Sequence, residues 1–567
     1  MTHLTIRKSP PRAAWALEQA GVHPLLARLY AARGITDALL LDTRTARLLA
    51  PELMKNSGAA AVMLADAIAD EKKLLIVADY DCDGATACAV GLRALRMMGA
   101  RVDYLVPDRF TLGYGLSPEV VQLAANSSRL GKPDIIITVD NGIASIDGVN
   151  EATRLGIRTL ITDHHLPAAE LPQAEVIVNP NQPGCNFPSK CIAGVGVMFY
   201  VMLALRAELR QRGVFSNQAE PNLAALLDLV ALGTVADVVA LDYNNRILVA
   251  QGLNRMRANQ MQAGIAALFQ ITGREPRRAA TFDLGFTLGP RLNAAGRLAD
   301  MSLGIEALIT DDMSRALNIA QELDTKNRER RSIEAGMKDD AELLLDAIDV
   351  GNRASLTLFD PTWHQGVIGI LAGRVKEKFH RPTFAFARGN KDELKASGRS
   401  IPGLHLRDAL DLVAKRQPML LIRFGGHAAA AGLTLKESDL ADFEASFESV
   451  CRELIHPTQL TRTLETDGPL ESGYYSVDTA RLIQKEIWGQ TFPPPIFDDS
   501  FQVVNQRILK EKHLKLKLKK GDRSFDAIQF NCADTAPDKI RAAFRLDINE
   551  WNGTETVQLT LEHFEPA

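Results

Sequence analysis

The sequence predicts an α/β protein: a domain built on a parallel sheet, a long connecting helix, a smaller α/β domain and a β-rich C-terminal part. Three observations carry that expectation. Between Leu74 and Asn181 short apolar β-type runs alternate with helical patterns, the arrangement of a parallel sheet with crossover helices. Residues 311–347 hold helical periodicity, with dense charge and no proline. From His513 to Lys519, leucines alternate with basic residues at strand period.

Taken in order, residues 53–69 read as a helix leading into the first strand. Strands are expected near 74–79, 102–107, 134–140, 159–163 and 176–179. From 195 to 256 the pattern turns helical, and the apolar helix 226–235 delivers Asp237. The long helix tolerates Gly336, at a cost of about 1 kcal/mol. Its cluster Lys326, Arg328, Arg330 and Arg331 suits either DNA or a solvated face. After Ser355 strands and helices alternate again to about residue 454, and beyond 461 turn-rich β character follows, with Pro493, Pro494 and Pro495 preceding a run of strands. These shifts divide the chain into a helical segment (1–50), a sheet domain (51–310), the helix (311–350), the smaller domain (351–455) and a C-terminal domain (460–567).

Composition excludes more than it selects. With 46% hydrophobic and 24% charged residues, 567 residues can build several cores. Lys plus Arg number 65 against 69 Asp plus Glu, so any nucleic-acid footprint is local. One basic stretch stands out. Between Asn505 and Arg523, Arg507, Lys510, Lys512, Lys515, Lys517, Lys519, Lys520 and Arg523 face only Glu511 and Asp522. Leu514, Leu516 and Leu518 point one way and Lys515, Lys517 and Lys519 the other. That ridge suits a strand's phosphates, with Phe525 or Phe530 as stacking platforms; equally, lysines guard exposed edge strands. The six cysteines lack paired C-x-x-C spacing, and no apolar stretch at the N-terminus or later suits export or membrane insertion, which together point to a reducing cytoplasm.

The strongest chemical signal follows Leu74–Val77, where the strand runs into Asp79, Asp81 and Asp83. Carboxylates this close repel unless cations sit among them, and oxygen ligands suit hard divalent ions. A calcium-type helix-loop-helix would need a preceding helix and Glu at the twelfth position, which is Val90. Two further strands end alike, in Asp140-Asn141-Gly142 and Asp163-His164-His165. Ligand-type groups beyond the carboxyl ends of parallel strands meet in one crevice. Asp237 adds another carboxylate, enough donors for two metal ions sharing a bridging carboxylate, for which Asp140 is the candidate. A small-residue stretch, Gly425-Gly426-His427 to Ala431, allows close approach of backbone N–H groups to a phosphate, or simply a tight turn.

These aspartates and the Asp163-His164-His165 triplet resemble the DHH phosphoesterase family. The ordered motifs Asp108-Arg109-Phe110 with Gly113-Tyr114-Gly115, residues 289–297, Trp363 to Val367, Gly398-Arg399-Ser400 and Gly425-Gly426-His427 narrow the resemblance to the family's bacterial single-strand-specific exonucleases, from about residue 25 onward. The resemblance implies 5′ to 3′ hydrolysis of single-stranded DNA with two Mn²⁺ or Mg²⁺ ions, in repair and recombination, and an oligonucleotide-binding (OB-like) C-terminal barrel. Asp79 and Asp81 would serve one ion, and Asp83, His164 and Asp237 the other. His165, supported by Asp163, would contact the scissile phosphate, which His427 would approach from the smaller domain. Arg109, Ser397, Arg399 and Ser400 would cap the 5′ end and Tyr114 would stack on a terminal base. Gly425 and Gly426 would receive phosphate, and Arg291, Asn293 and Arg297 would line a channel or bridge domains. A monomer has all these parts, and a single-strand-binding protein and a helicase are implied as partners. Two other classes stay open: a DHH phosphoesterase of the oligoribonuclease or pyrophosphatase type, which the basic C-terminal domain argues against, and a non-catalytic DNA-binding relative, which would be expected to lose metal ligands.

Overall fold

The computed structural model describes residues 2–108, 112, 115–346, 350–389 and 392–567. The chain forms two compact units: the N-terminal residues through Ile6 with Asn327–Glu465, and Arg7–Lys326 with Thr466–Ala567. The Met313–Asp346 helix supplies residues to both. No helix among the described residues is long and apolar enough to cross a membrane.

The first residues form a strand, β1 (Thr2–Ile6), whose partner β12 (Arg462–Thr466) lies far along the sequence. Nothing local marks it, so sequence reading gave only helices there. The predicted 53–69 helix begins later, at Ser57, after Asn56 takes a left-handed φ of 66°.

In the larger unit β2 (Lys73–Ala78), β3 (Arg101–Leu105), β4 (Ile135–Val139), β5 (Arg158–Thr162) and β6 (Val176–Val178) make an all-parallel sheet in the order β3-β2-β4-β5-β6. Because side chains alternate across a strand, each strand feeds two cores. Leu74, Ile76 and Ala78 pack in one core with the Cys82–Met97 and Gly194–Gln211 helices. Leu75 and Val77 pack in the other with Val120, Val121, Val149 and Ala152. Helices on both faces leave the carboxyl ends of β2, β4 and β5 as the open edge of the layers.

The smaller unit holds β7 (Leu356–Phe359), β8 (Thr383–Arg388), β9 (Glu393–Arg399), β10 (Arg423–Gly426) and β11 (Ala430–Lys436), in the order β10-β11-β9-β8-β7. Only β7 and β8 run parallel. Of the basic cluster on the long helix, Arg330 is buried; it reaches Asn327 and pairs with Glu334 at 2.9 Å.

At the C-terminus β13 (Phe497–Leu509), β14 (His513–Lys520), β15 (Arg523–Gln529), β16 (Lys539–Trp551) and β17 (Thr554–Pro566) close into a barrel, β13-β14-β15-β17-β16. Its pairings are antiparallel except β15 with β17. Leu514, Leu516 and Leu518 fill the interior with Phe497 and Phe544, and Lys517 and Lys519 are exposed. β14 is hydrogen-bonded on both sides, so its lysines protect no edge. Phe525 corrects one expectation: it is buried against Tyr475, with ring centroids 4.8 Å apart, and offers no face to a base. Phe530 is exposed.

The two faces of β14 are separable. Leu516→Ala is expected to cost about 2–5 kcal/mol of stability. Replacing Lys515, Lys517 and Lys519 by Ala is expected to change it by no more than about 1 kcal/mol. Chemical denaturation checks both, and equal losses would contradict the assignment of faces.

Candidate metal centre

Each functional side chain is delivered by the end of a regular element. β2 stops at Ala78, and Asp79 and Asp81 lie in the turn into the Cys82–Met97 helix. Asp81 caps that helix, accepting the Gly84 N–H at 3.0 Å. Gly84 is obligatory, because a Cβ there would lie 2.5 Å from the Asp79 carbonyl oxygen. β4 ends in Asp140, whose φ of 62° is a left-handed conformation that only tertiary restraint sustains in a non-glycine residue. Asn141 supplies that restraint: its side-chain amide donates to the carbonyls of Val77 and Val139 at 3.2 and 2.9 Å. β5 ends in Asp163, His164 and His165, and the Leu227–Ala236 helix ends in Asp237.

Three groups of donor atoms result, each lying within 4.8 Å: Asp79, Asp81 and Asp140; Asp83, His164 and Asp237; and Asp140, His164 and His165. His164 Nε2 stands 3.1 Å from Asp140 Oδ1, 3.6 Å from Asp237 Oδ2 and 3.9 Å from Asp83 Oδ2. Asp83 sits on a helix start, its carboxylate accepting the Gly194 and Val195 N–H groups at 2.6 and 2.9 Å. Gly194 also makes room: a Cβ there would lie 2.7 Å from Asp140 Oδ1. Asp163 is buried behind the histidines. It accepts His165 Nδ1 at 2.8 Å, the backbone N–H groups of both histidines and that of Ile143.

Burial and mutual repulsion dominate the electrostatics. Burial, reinforced by the Asp81 charge, pushes Asp83 up to about 7 against the pull of the two helix N–H groups. Asp140 and Asp237 are driven well above the carboxylate range by burial and then by the charges of Asp83, Asp81 and Asp79. Asp163 goes the other way: burial would raise it, but the His165 hydrogen bond and charge bring it below its usual value. Burial would lower His165, and the bond to Asp163 overrides this and raises it to about 9. A cluster that cannot ionise fully by itself is what divalent cations relieve, and oxygen donors with one imidazole suit Mg²⁺ or Mn²⁺.

The smaller unit gathers six of the other expected residues at one end of its sheet. Gly425 pairs with Gly432, which pairs with Ser397; Gly426 pairs with Ala431, which pairs with Gly398. His427 lies in the β10–β11 turn, its N–H donated to the Ala430 carbonyl at 2.7 Å. Arg399 donates to Ser397 Oγ and the Gly398 carbonyl at 3.0 and 2.8 Å; among the described residues no carboxylate pairs with it. Gly369 admits this packing, since a Cβ there would lie 3.0 Å from the Arg399 guanidinium. The Ser400 hydroxyl is turned inward to the Leu404 carbonyl at 2.8 Å. Arg109 and Tyr114 lie outside the described residues.

In the larger unit Arg291 pairs with Asp324 at 2.9 Å and donates to the Thr287 carbonyl, and Arg297 is partly buried. Asn293 turns out to be a support of the aspartate loop: its side-chain oxygen accepts the Cys82 N–H at 2.7 Å. A Cβ on nearby Gly296 would overlap the Tyr80 carbonyl. Sequence reasoning missed this buttress and the role of Gly194; the only signal was a cluster of small residues at each helix. On the barrel, Lys515, Lys517 and Lys519 share one face of β14, and Lys517 pairs with Asp526 at 3.1 Å.

Residues 73–234 match the DHH family, N-terminal domain; residues 352–453 match the DHHA1 domain; and residues 466–563 match the RecJ OB domain. The chain is 48% identical over 556 residues to the single-stranded-DNA-specific exonuclease RecJ of Dickeya dadantii, with 96% of each chain covered. It is 46% identical over 563 residues to the protein so named from Escherichia coli, again over 96% of each. Among solved structures it is similar to RecJ in complex with Mn²⁺ from Thermus thermophilus, with a TM-score of 0.82 and 28% identity over 100% of this chain and 80% of that one.

Because Asp83, Asp140 and Asp237 hold protons more tightly than ordinary carboxylates, Mn²⁺ binding near pH 7 is expected to release protons. Calorimetry in buffers of different ionisation enthalpy measures this, and a heat independent of buffer would contradict it. Gly194→Ala is expected to weaken Mn²⁺ binding by at least about tenfold by displacing Asp140.

Proposed function

The chain belongs to the RecJ family of DHH proteins, and from that membership we propose that it is a metal-dependent exonuclease specific for single-stranded DNA, working from the 5′ end and releasing mononucleotides. One observation carries the reading: the same chain holds the crowded carboxylate and histidine cluster and, in the same compact unit, a closed barrel with a basic face. A phosphoesterase confined to pyrophosphate or dinucleotides has no use for the second feature.

Asp79 and Asp81 would hold one Mn²⁺ or Mg²⁺ ion and Asp83, His164 and Asp237 a second, with Asp140 bridging. When bound, such ions activate a water and neutralise the charge developing on phosphoryl oxygens during in-line displacement. The chain's own residues do the rest. Asp163 fixes the His165 ring through Nδ1 and keeps it cationic, so that its other ring nitrogen donates to an oxygen of the scissile phosphate. By the family motif it occupies, His427 would be a further phosphate contact. Arg399, half-buried and bonded only to Ser397 and a backbone carbonyl among the described residues, carries positive charge suited to a terminal phosphate. The N–H groups around Gly425 and Gly426 add neutral donors. Arg109 and Tyr114 complete end recognition, in keeping with the family motif they occupy. Lys515, Lys517 and Lys519 hold the trailing strand by its phosphates.

We further place the protein in the cytoplasm, acting as a monomer in DNA repair and recombination with a single-strand-binding protein and a helicase as partners. Family membership supports this setting.

Asp140→Ala is expected to abolish release of mononucleotide from 5′-labelled single strands, with the circular dichroism spectrum unchanged; substantial remaining Mn²⁺-dependent cleavage would remove its bridging role. Arg399→Ala is expected to erase the preference for a 5′-phosphorylated end, measured by competition between phosphorylated and unphosphorylated strands. Removing the three β14 lysines together is expected to reduce the slope of log affinity against log salt by about 2. An unaltered slope would take the barrel face out of the DNA path.

A further inference from the structure

Residues 281–298 form one continuous helical run that widens into a π-helix over Asp283–Leu288. π-Turns inside helices are rare and recur at functional sites. Here the inner side of the run is buried through Leu284, Leu288 and Leu292, yet Phe282 and Phe286 stand on the outside, 50% and 68% exposed. Their rings lie face to face, with centroids 5.0 Å apart and planes 23° from parallel. Such a pair on the surface is unlike the buried aromatics elsewhere in this unit, which pack into its core.

The position of the pair narrows its use. One end of the helical run reaches the metal centre: Asn293 supports the aspartate loop, and a Cβ added at Gly289 would lie 3.0 Å from the Ala236 side chain, next to Asp237. From Phe286 to Asn293 is seven residues, about 10 Å along a helix. The other end reaches the barrel and its approach: Thr281 donates to the Trp488 carbonyl at 2.7 Å, and Arg278 pairs with Glu550 on β16 at 3.1 Å. The Arg274 guanidinium lies 5.9 Å from the Phe282 ring centre, close also to Asp283 at 3.6 Å. The rings therefore sit on the surface between the carboxylates and the barrel, with the Arg274 guanidinium at their side.

We propose that Phe282 and Phe286 form a base-stacking platform that holds one or two nucleobases of single-stranded DNA between the metal centre and the barrel. The inference rests on the exonuclease reading above and adds a contact to it. Aromatic stacking tolerates any base and rejects a paired one, whose faces are covered by its neighbours. The platform thus adds selectivity for single strands at a point where the lysines, which read only phosphate, supply none.

The test uses the full chain in EDTA, so that strands are bound and not cut, with oligothymidylates carrying a single 2-aminopurine at successive positions from the 5′ end. The expected result is fluorescence quenching at one or two internal positions. Quenching should be lost in F282A/F286A and in F282L/F286L, and kept in F282W/F286W. Affinity is expected to fall about tenfold or more in the first two variants. The leucine pair keeps the surface apolar, so its loss of quenching identifies the rings and not the patch. Unchanged quenching and affinity in both variants, with wild-type binding intact, would overturn the platform and leave the exonuclease reading standing. Failure of the wild-type chain to bind or cleave single strands would overturn that reading itself. A wild-type dimer in sedimentation that dissociates in F282A/F286A, with DNA binding unaltered, would assign the patch to a second copy of the chain and overturn the proposal.

Discussion

The constraint on which the larger unit turns is the repulsion among Asp79, Asp81, Asp83, Asp140 and Asp237, crowded at one sheet edge with Asp79, Asp83 and Asp140 buried and the other two partly so. Burial alone would drive such groups to the neutral acid. The fold resists by aiming fixed dipoles at them: the Gly194 and Val195 N–H groups at Asp83, the helix start at Asp81. It concedes at Asp140, held in a left-handed conformation, and at glycines 84, 194 and 296, where a methyl group would collide with the loop. Several local costs are accepted so that carboxylate oxygens point at a common space, as expected of a site whose compensation comes from bound cations.

The same architecture divides labour by element type. Parallel strands buried on both faces provide a stiff base whose carboxyl ends cannot drift, and every group of the carboxylate and histidine cluster stands within a few residues of such an end or of a helix terminus. The barrel works differently. With β14 paired on both sides, its leucines fix the interior and its lysines stand on the outer face. Asp163 joins the two themes, since the carboxylate that holds the His165 ring and raises its pKa is itself fixed by three backbone N–H groups.

Much of this was legible in the sequence because the signals were local. Strand runs ending in aspartate, the alternation in β14 and the long helix are patterns of hydrophobic period, and the parallel sheet, the helix and the lysine face follow them. What escaped depended on distant partners. The strand β1 has meaning only beside β12; Phe525 looked available until Tyr475 covered it; Asn293 is indistinguishable in sequence from a channel residue until its oxygen is found on the Cys82 N–H. The exposure of Phe282 and Phe286 likewise has no local signal, since a widened helical turn leaves no mark in the hydrophobic period.

The measurement that bears most directly on the account is anomalous diffraction from crystals of this protein soaked in Mn²⁺. Two peaks are expected, one among Asp79, Asp81 and Asp140 and one among Asp83, His164 and Asp237, with the Asp140 carboxylate touching both. A single peak, or peaks that leave Asp140 uncoordinated, would contradict the claim that these carboxylates are gathered to share two cations.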